Sequence, residues 1–209
     1  HRPGDTPQST RTALETGRWL DGLAHDISRR FGRRRVVLVG HSTGGLLSLA
    51  FARRHPTLVH SLILVGALSR GDRDKPNDLP ATLISNPQFG PVATRAAWRM
   101  WLSSRPMFRA GFGIGATRPF DLPQIDALRH HLAACDPLAV AACARWVLQA
   151  DVTADLPHIT APILALIGTS DPIVPPMHQM RVLRTAPHAN AQLLDGGHLL
   201  FAEQPEAVA

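Results

Sequence analysis

The ten residues Val36-Val-Leu-Val-Gly-His-Ser-Thr-Gly-Gly45 constrain this chain more than any other stretch. Val36 to Val39 is a short, mostly β-branched apolar run, the pattern of a strand buried on both faces in a parallel sheet. It leads directly into Gly40-His41-Ser42-Thr43-Gly44, and a helix is expected from about Thr43 to His55, ended by Pro56. A serine at so sharp a strand-to-helix turn is forced into a strained backbone conformation. The flanking glycines Gly40 and Gly44 let strand and helix approach without side-chain clash. Ser42 is thereby pushed out above the sheet. The NH of Thr43, at a helix N-terminus, points to where negative charge develops when a carbonyl is attacked.

The rest of the chain repeats the strand-helix texture. Leu62 to Val65 completes a strand-helix-strand unit, and Ile163 to Ile167 and Ala191 to Leu194 supply two further strands around a helix near Met177 to Thr185. Upstream, Leu20, Leu23, Ile27 and Phe31 recur at helical spacing within an expected helix from Thr6 to Phe31, stopped by Gly32. From residue 70 to residue 157 the texture changes to Pro, Asn, Asp and Gly clusters. Helices are expected there near Thr94 to Leu102, Leu122 to Ala134 and Leu138 to Ala150, the last opened by the cap-and-proline pair Asp136-Pro137. Gly111, Gly113 and Gly115 lack dinucleotide-binding spacing and are read as a loop. The fold class is therefore α/β, a mostly parallel sheet flanked by helices. Residues 1–69 and 158–209 form the core, and 70–157 is a helical insertion.

Composition removes several classes of function. The 209 residues fit one domain, and 44% apolar against 18% charged residues excludes a disordered chain. No apolar run approaches the length of a membrane span. The net charge of +6 comes from arginine, because Lys75 is the only lysine. The tightest basic cluster is Arg29, Arg30, Arg33, Arg34 and Arg35. It follows a helix, where cations favour the C-terminal end and solvent, so no nucleic-acid partner is expected. Cys135 and Cys143 have neither disulfide-framework nor metal-ligand spacing and read as buried free thiols, with a lean to a reducing, cytoplasmic compartment. No metal or cofactor is expected.

A serine hydroxyl needs a base, and the base needs an orienting acid. Where the serine occupies such a turn, acid and histidine follow it in chain order, each in a loop after a later strand. Gly168-Thr-Ser-Asp171-Pro and Asp195-Gly-Gly-His198 stand in those two places, at the sheet edge where open α/β folds bind ligands. Asp171 is the expected acid, with Asp195 and Asp72 as alternatives. His198 is the expected base. His41, beside the serine, is aimed elsewhere by its place on the turn.

On these motifs the chain resembles the α/β-hydrolase superfamily, in particular the small cap-bearing esterases and 3-oxoadipate enol-lactonase-like proteins. The resemblance is carried by Val36 to Gly66, Pro162 to Pro175 and Leu193 to Pro205, while the insertion matches only in being helical. It implies a catalytic set of Ser42, Asp171 and His198, an elbow of Gly40, His41 and Gly44, and a small ester or lactone substrate. Dehalogenases and epoxide hydrolases of this fold carry aspartate where Ser42 stands. His1 to Thr6 resembles the loop after the family's fourth strand. The N-terminal strands and a second oxyanion donor are therefore expected to be missing, which would make the chain a fragment and leave one strand as an exposed edge.

The expected activity is serine hydrolysis of a small carboxylic ester or lactone through an acyl-enzyme. Acyl transfer, perhydrolysis and carbon–carbon bond hydrolysis use the same residues. A ligand-binding or signalling relative with slow turnover is the reading from another class. In the insertion, Trp98, Met100, Trp101, Met107, Phe108 and Phe112 lie among Arg95, Arg99, Arg105, Arg109 and Arg118. These arginines could pair a substrate carboxylate, but the stronger reading has the apolar residues packing the cap onto the sheet and the arginines facing water.

Overall fold

The computed structural model describes residues 17–71, 90–120, 123 and 125–209. Four strands, β1 (Val36–His41), β2 (Val59–Val65), β3 (Ile163–Gly168) and β4 (Ala189–Leu194), lie in the order β1-β2-β3-β4, and every pair is parallel. All four therefore end at the same edge.

Helix α1 (Trp19–Phe31) carries Asp21 in its first turn and Arg29 and Arg30 in its last, complementing its dipole. Gly32, at φ 63°, closes it by donating its NH to the Ser28 carbonyl. The part of the expected helix before Gly17 lies outside the described residues. Helix α2 (Thr43–Arg54) buries Leu46, Leu49 and Phe51 completely, and the chain turns at Pro56 into β2.

One strand departs from the expected burial. In β1 Val37 is 50% and Val39 66% exposed, because β1 is an edge of the described sheet and those two side chains share one face. Leu62, Leu64, Ile163, Leu166 and Ile167 in β2 and β3 are buried, as central strands require.

The described residues form two compact units. The sheet unit comprises 20–71, 115–120 and 150–209; the helical unit comprises 17–19, 90–114 and 125–149. Residues 115–120, although inside the insertion in sequence, group with the sheet. The helical unit contains α3 (Gly90–Leu102), α4 (Arg105–Phe112), α5 (Ile125–Ala133) and α6 (Pro137–Gln149). Asp136 opens α6 as expected, its carboxylate accepting from the Leu138 NH at 2.9 Å. Helix α4 was not expected. Gly111 lies within it and Gly113–Gly115 form a 3-10 turn, so the glycine-rich stretch is not a plain loop.

Leu102, Phe108 and Ile125 form the helical unit's own core, with Trp98, Trp101 and Phe112 packed on it. The aromatic residues thus pack on one another, while Met100 and Met107 are exposed. Cys135 is an exposed free thiol rather than a buried one, since it follows the C-terminal end of α5 in a turn; the Cys143 side chain lies outside the described residues. No helix among the described residues is long and apolar enough to cross a membrane.

Within the sheet unit, after β3, the short helices α7 (Pro176–Gln179) and α8 (Arg181–Thr185) replace the one helix expected near Met177 to Thr185. Beyond β4 lie α9 (Leu200–Glu203) and α10 (Pro205–Val208).

Candidate active site

Ser42 stands directly after β1 at φ 54° and ψ −121°, the only described non-glycine residue with positive φ. L-residues avoid this region, at a cost of about 1–3 kcal/mol. The strain is held from both sides: the Ser42 NH donates to the Val65 carbonyl at 2.9 Å, and its carbonyl accepts from the Gly45 NH at 2.9 Å. A Cβ on Gly40 would stand 2.5 Å from the Gly44 carbonyl and 2.7 Å from the Gly45 Cα. One on Gly45 would collide with the Ala67 methyl, whereas one on Gly44 would meet nothing within 4 Å. Close approach of strand and helix therefore depends on Gly40 and Gly45, and the expectation that Gly44 shares that duty does not hold.

Asp171 follows β3 and His198 follows β4, both buried. His198 Nδ1 and Asp171 Oδ2 are 2.8 Å apart. The carboxylate is an acceptor, so Nδ1 carries the proton and Nε2 is left with its lone pair. Asp171 Oδ1 accepts from the NH groups of Ile173 and Val174 at 2.8 and 2.9 Å. Its Oδ2 also accepts from Gln179 Nε2 at 2.9 Å. The same Gln179 nitrogen donates to the Val174 carbonyl at 2.7 Å, and two acceptors around one atom fix the amide's orientation. Below the pair, Gly66 at φ 55° follows β2; a Cβ there would stand 3.1 Å from His198 Nδ1.

The other expected acids fare differently. Asp195 pairs with Arg118 at 2.9 Å and is largely exposed. Asp72 lies outside the described residues. His41 does not serve Ser42: its Nε2 donates to the His198 carbonyl at 2.8 Å, and its ring lies 4.7 Å from that of His198 and 5.0 Å from Phe201. Burial lowers its pKa below the usual histidine value, while the bond to the His198 carbonyl and the Asp171 charge oppose that. His41 is thus a neutral donor at the site.

The backbone around His198 is also fixed. Its NH donates to the Gly115 carbonyl at 2.7 Å. The flanking NH groups of Gly197 and Leu199 donate to the Glu203 carboxylate at 3.0 and 3.1 Å. None of Gln179, Glu203 and Gly66 is marked by its local sequence as part of a site. Of the insertion's arginines, Arg95 and Arg99 are exposed, Arg105 pairs with Asp126 at 3.3 Å and Arg118 pairs with Asp195 at 2.9 Å.

The whole chain, residues 1–209, matches the alpha/beta hydrolase family. It is 27% identical to 3-oxoadipate enol-lactonase 2 of Acinetobacter baylyi over 90% of this chain and 67% of that protein. Among solved structures it is similar to a thermophilic esterase from Thermogutta terrifontis (27% identity, TM-score 0.64, 99% of this chain and 70% of that one). An esterase from Exiguobacterium antarcticum, at 19% identity and TM-score 0.70, shares the fold over 99% of this chain and 75% of its own. The chain spans between 60% and 74% of the length of six curated relatives that it matches. With the parallel sheet, the strained serine turn and the match along its full length, this chain belongs to the alpha/beta hydrolase family.

Proposed function

We propose that this protein is a serine hydrolase that cleaves a small carboxylic ester or lactone through an acyl-enzyme. The observation that carries the reading is the buried Asp171–His198 pair, which fixes the histidine tautomer at 2.8 Å on the same sheet edge as the strained Ser42. In this mechanism Ser42 Oγ bonds to the acyl carbon while His198 Nε2 takes the hydroxyl proton. Asp171 stabilises the resulting imidazolium without being protonated itself. The Thr43 NH, at the start of α2, donates to the oxyanion. The carbon–oxygen bond to the leaving alcohol then breaks, and the alcohol takes the proton from His198; in a lactone it stays tethered to the acyl group. Water next gives a proton to His198 as its oxygen bonds to the acyl carbon. Ser42 leaves with that proton, and the acid is released.

The relatives support hydrolysis, since those to which this chain is similar include an enol-lactonase and an esterase. The test is labelling by a serine-reactive fluorophosphonate, read by intact mass. One adduct on the chain and none on Ser42→Ala supports the reading, and ester and lactone screening follows. A folded chain without an adduct refutes it.

A further inference from the structure

Five donors converge on the carboxylate of Glu203. Oε2 accepts from the Gly197 NH at 3.0 Å, the Thr117 NH and hydroxyl at 3.1 and 3.3 Å, and the Arg118 NH at 3.0 Å. Oε1 accepts from the Leu199 NH at 3.1 Å. A carboxylate offers about four lone-pair sites, so at least one is shared, and bonds to an ionised acceptor are the stronger kind. Gly197 and Leu199 are the two neighbours of His198. Thr117 and Arg118 belong to the short segment that also supplies the Gly115 carbonyl to the His198 NH. That segment lies between α4 and α5 in the chain, inside the insertion in sequence.

The packing between the two segments is tight enough to require glycine. A Cβ on Gly197 would stand 2.5 Å from the Gly115 carbonyl, 2.9 Å from the Thr117 nitrogen and 3.1 Å from Glu203 Oε1. One on Gly115 would stand 3.0 Å from the His198 Cβ. The His198 imidazole bonds to Asp171, and the His198 backbone is held in place by what Glu203 and Gly115 bind.

We propose that Glu203 is the positioning residue for the general base, clamping the His198 loop onto the 115–118 segment so that the imidazole stays aligned between Asp171 and the serine turn. The proposal rests on the reading of His198 as general base. It makes a piece of the insertion part of the seat of the base. Displacing Thr117 or Arg118 would displace His198 through a single carboxylate, and a shift of about 1 Å in a catalytic group can cost about a hundredfold in rate.

The test compares the full chain with Glu203→Ala, Glu203→Gln and, as a control on the neighbouring helix, Glu206→Ala. Three quantities are read: the rate constant for fluorophosphonate labelling at Ser42, the pH midpoint of that rate, and the far-downfield proton resonance of His198 Nδ1. Glu203→Ala and Glu203→Gln are expected to label about ten to a hundredfold more slowly. Their pH midpoint should fall, because a misaligned Asp171 stabilises the imidazolium less, and the Nδ1 resonance should broaden or vanish. Glu206→Ala should match the unmodified chain. Labelling of the Glu203 variants at the unmodified rate overturns the proposal. So does a slower rate with unchanged pH midpoint and Nδ1 resonance, which would mark a merely structural role. If Glu203→Ala does not fold, Glu203→Gln, which keeps the shape and one acceptor oxygen, decides by the same outcomes. An unmodified chain that does not label refutes the acyl-enzyme reading. Even then the resonance decides the clamp: its loss in Glu203→Gln supports it, and its retention overturns it.

Discussion

Gln179 and His198 meet the same oxygen of Asp171, at 2.9 and 2.8 Å. The amide and the imidazole approach Oδ2 as two donors, and Oδ1 is occupied by two backbone NH groups, so the carboxylate cannot rotate away from the histidine. Gln179→Leu removes one of those donors and leaves the buried Val174 carbonyl without its partner. It should lower stability by about 1–3 kcal/mol in chemical denaturation and slow fluorophosphonate labelling. Unchanged stability would show that water replaces the amide.

The glycines of the serine turn are not equivalent. Gly40→Ala and Gly45→Ala each drive a methyl into backbone or the Ala67 methyl, and each should lower stability by about 1–3 kcal/mol, or prevent folding. Gly44→Ala meets nothing within 4 Å and sits in regular helix, so it should raise stability by up to about 1 kcal/mol. Thermal denaturation of the three variants gives the order, and a Gly44→Ala as damaging as Gly45→Ala would contradict it.

Ser42 is strained because a side chain occupies a conformation suited to glycine. Ser42→Gly should therefore be more stable than the unmodified chain by about 1 kcal/mol while losing all labelling. Stability and function would move in opposite directions at one residue. A destabilised Ser42→Gly would mean that the Ser42 side chain makes compensating contacts.

His41 makes stability depend on pH. Its pKa in the folded chain lies below that of the unfolded chain, so between the two values the unfolded state binds more protons and stability rises with pH. Stability is thus full above about pH 6.5 and falls as acid protonates the unfolded chain and then the buried ring. Replacing His41 by Gln should flatten that part of the pH–stability curve. Melting temperatures measured across it provide the check, and an unchanged slope would assign it to another group.

The elements legible in the sequence were those written by local pattern. The apolar runs marked the strands, Pro56, Gly32 and the Asp136-Pro137 pair marked helix ends, and Ser42, Asp171 and His198 follow β1, β3 and β4 in the chain order expected of them. Helix α4 was missed because Gly111 within it, and Gly113 and Gly115 in the turn after it, read as loop, whereas packing of Phe108 into the core of its own helical unit sustains the helix. The burial of β1 was misjudged because a β-branched run fits a strand without saying how many of its faces are covered.

Sequence by itself determined the α/β class, the serine turn and the loops after later strands in which Asp171 and His198 stand, since these depend on residue type, spacing and the fixed hand of strand-helix-strand connections. Only the tertiary structure decided which acid meets His198, sending Asp195 to Arg118 and Asp171 to the imidazole. It likewise showed that Gln179 orients Asp171, that His41 holds the His198 carbonyl, and that Gly45 rather than Gly44 must be small. Each of these relations joins residues through space across different loops and strands. A hydrogen bond or a steric contact depends on distances of a few ångströms, and the folding of the sheet sets those distances rather than any local pattern.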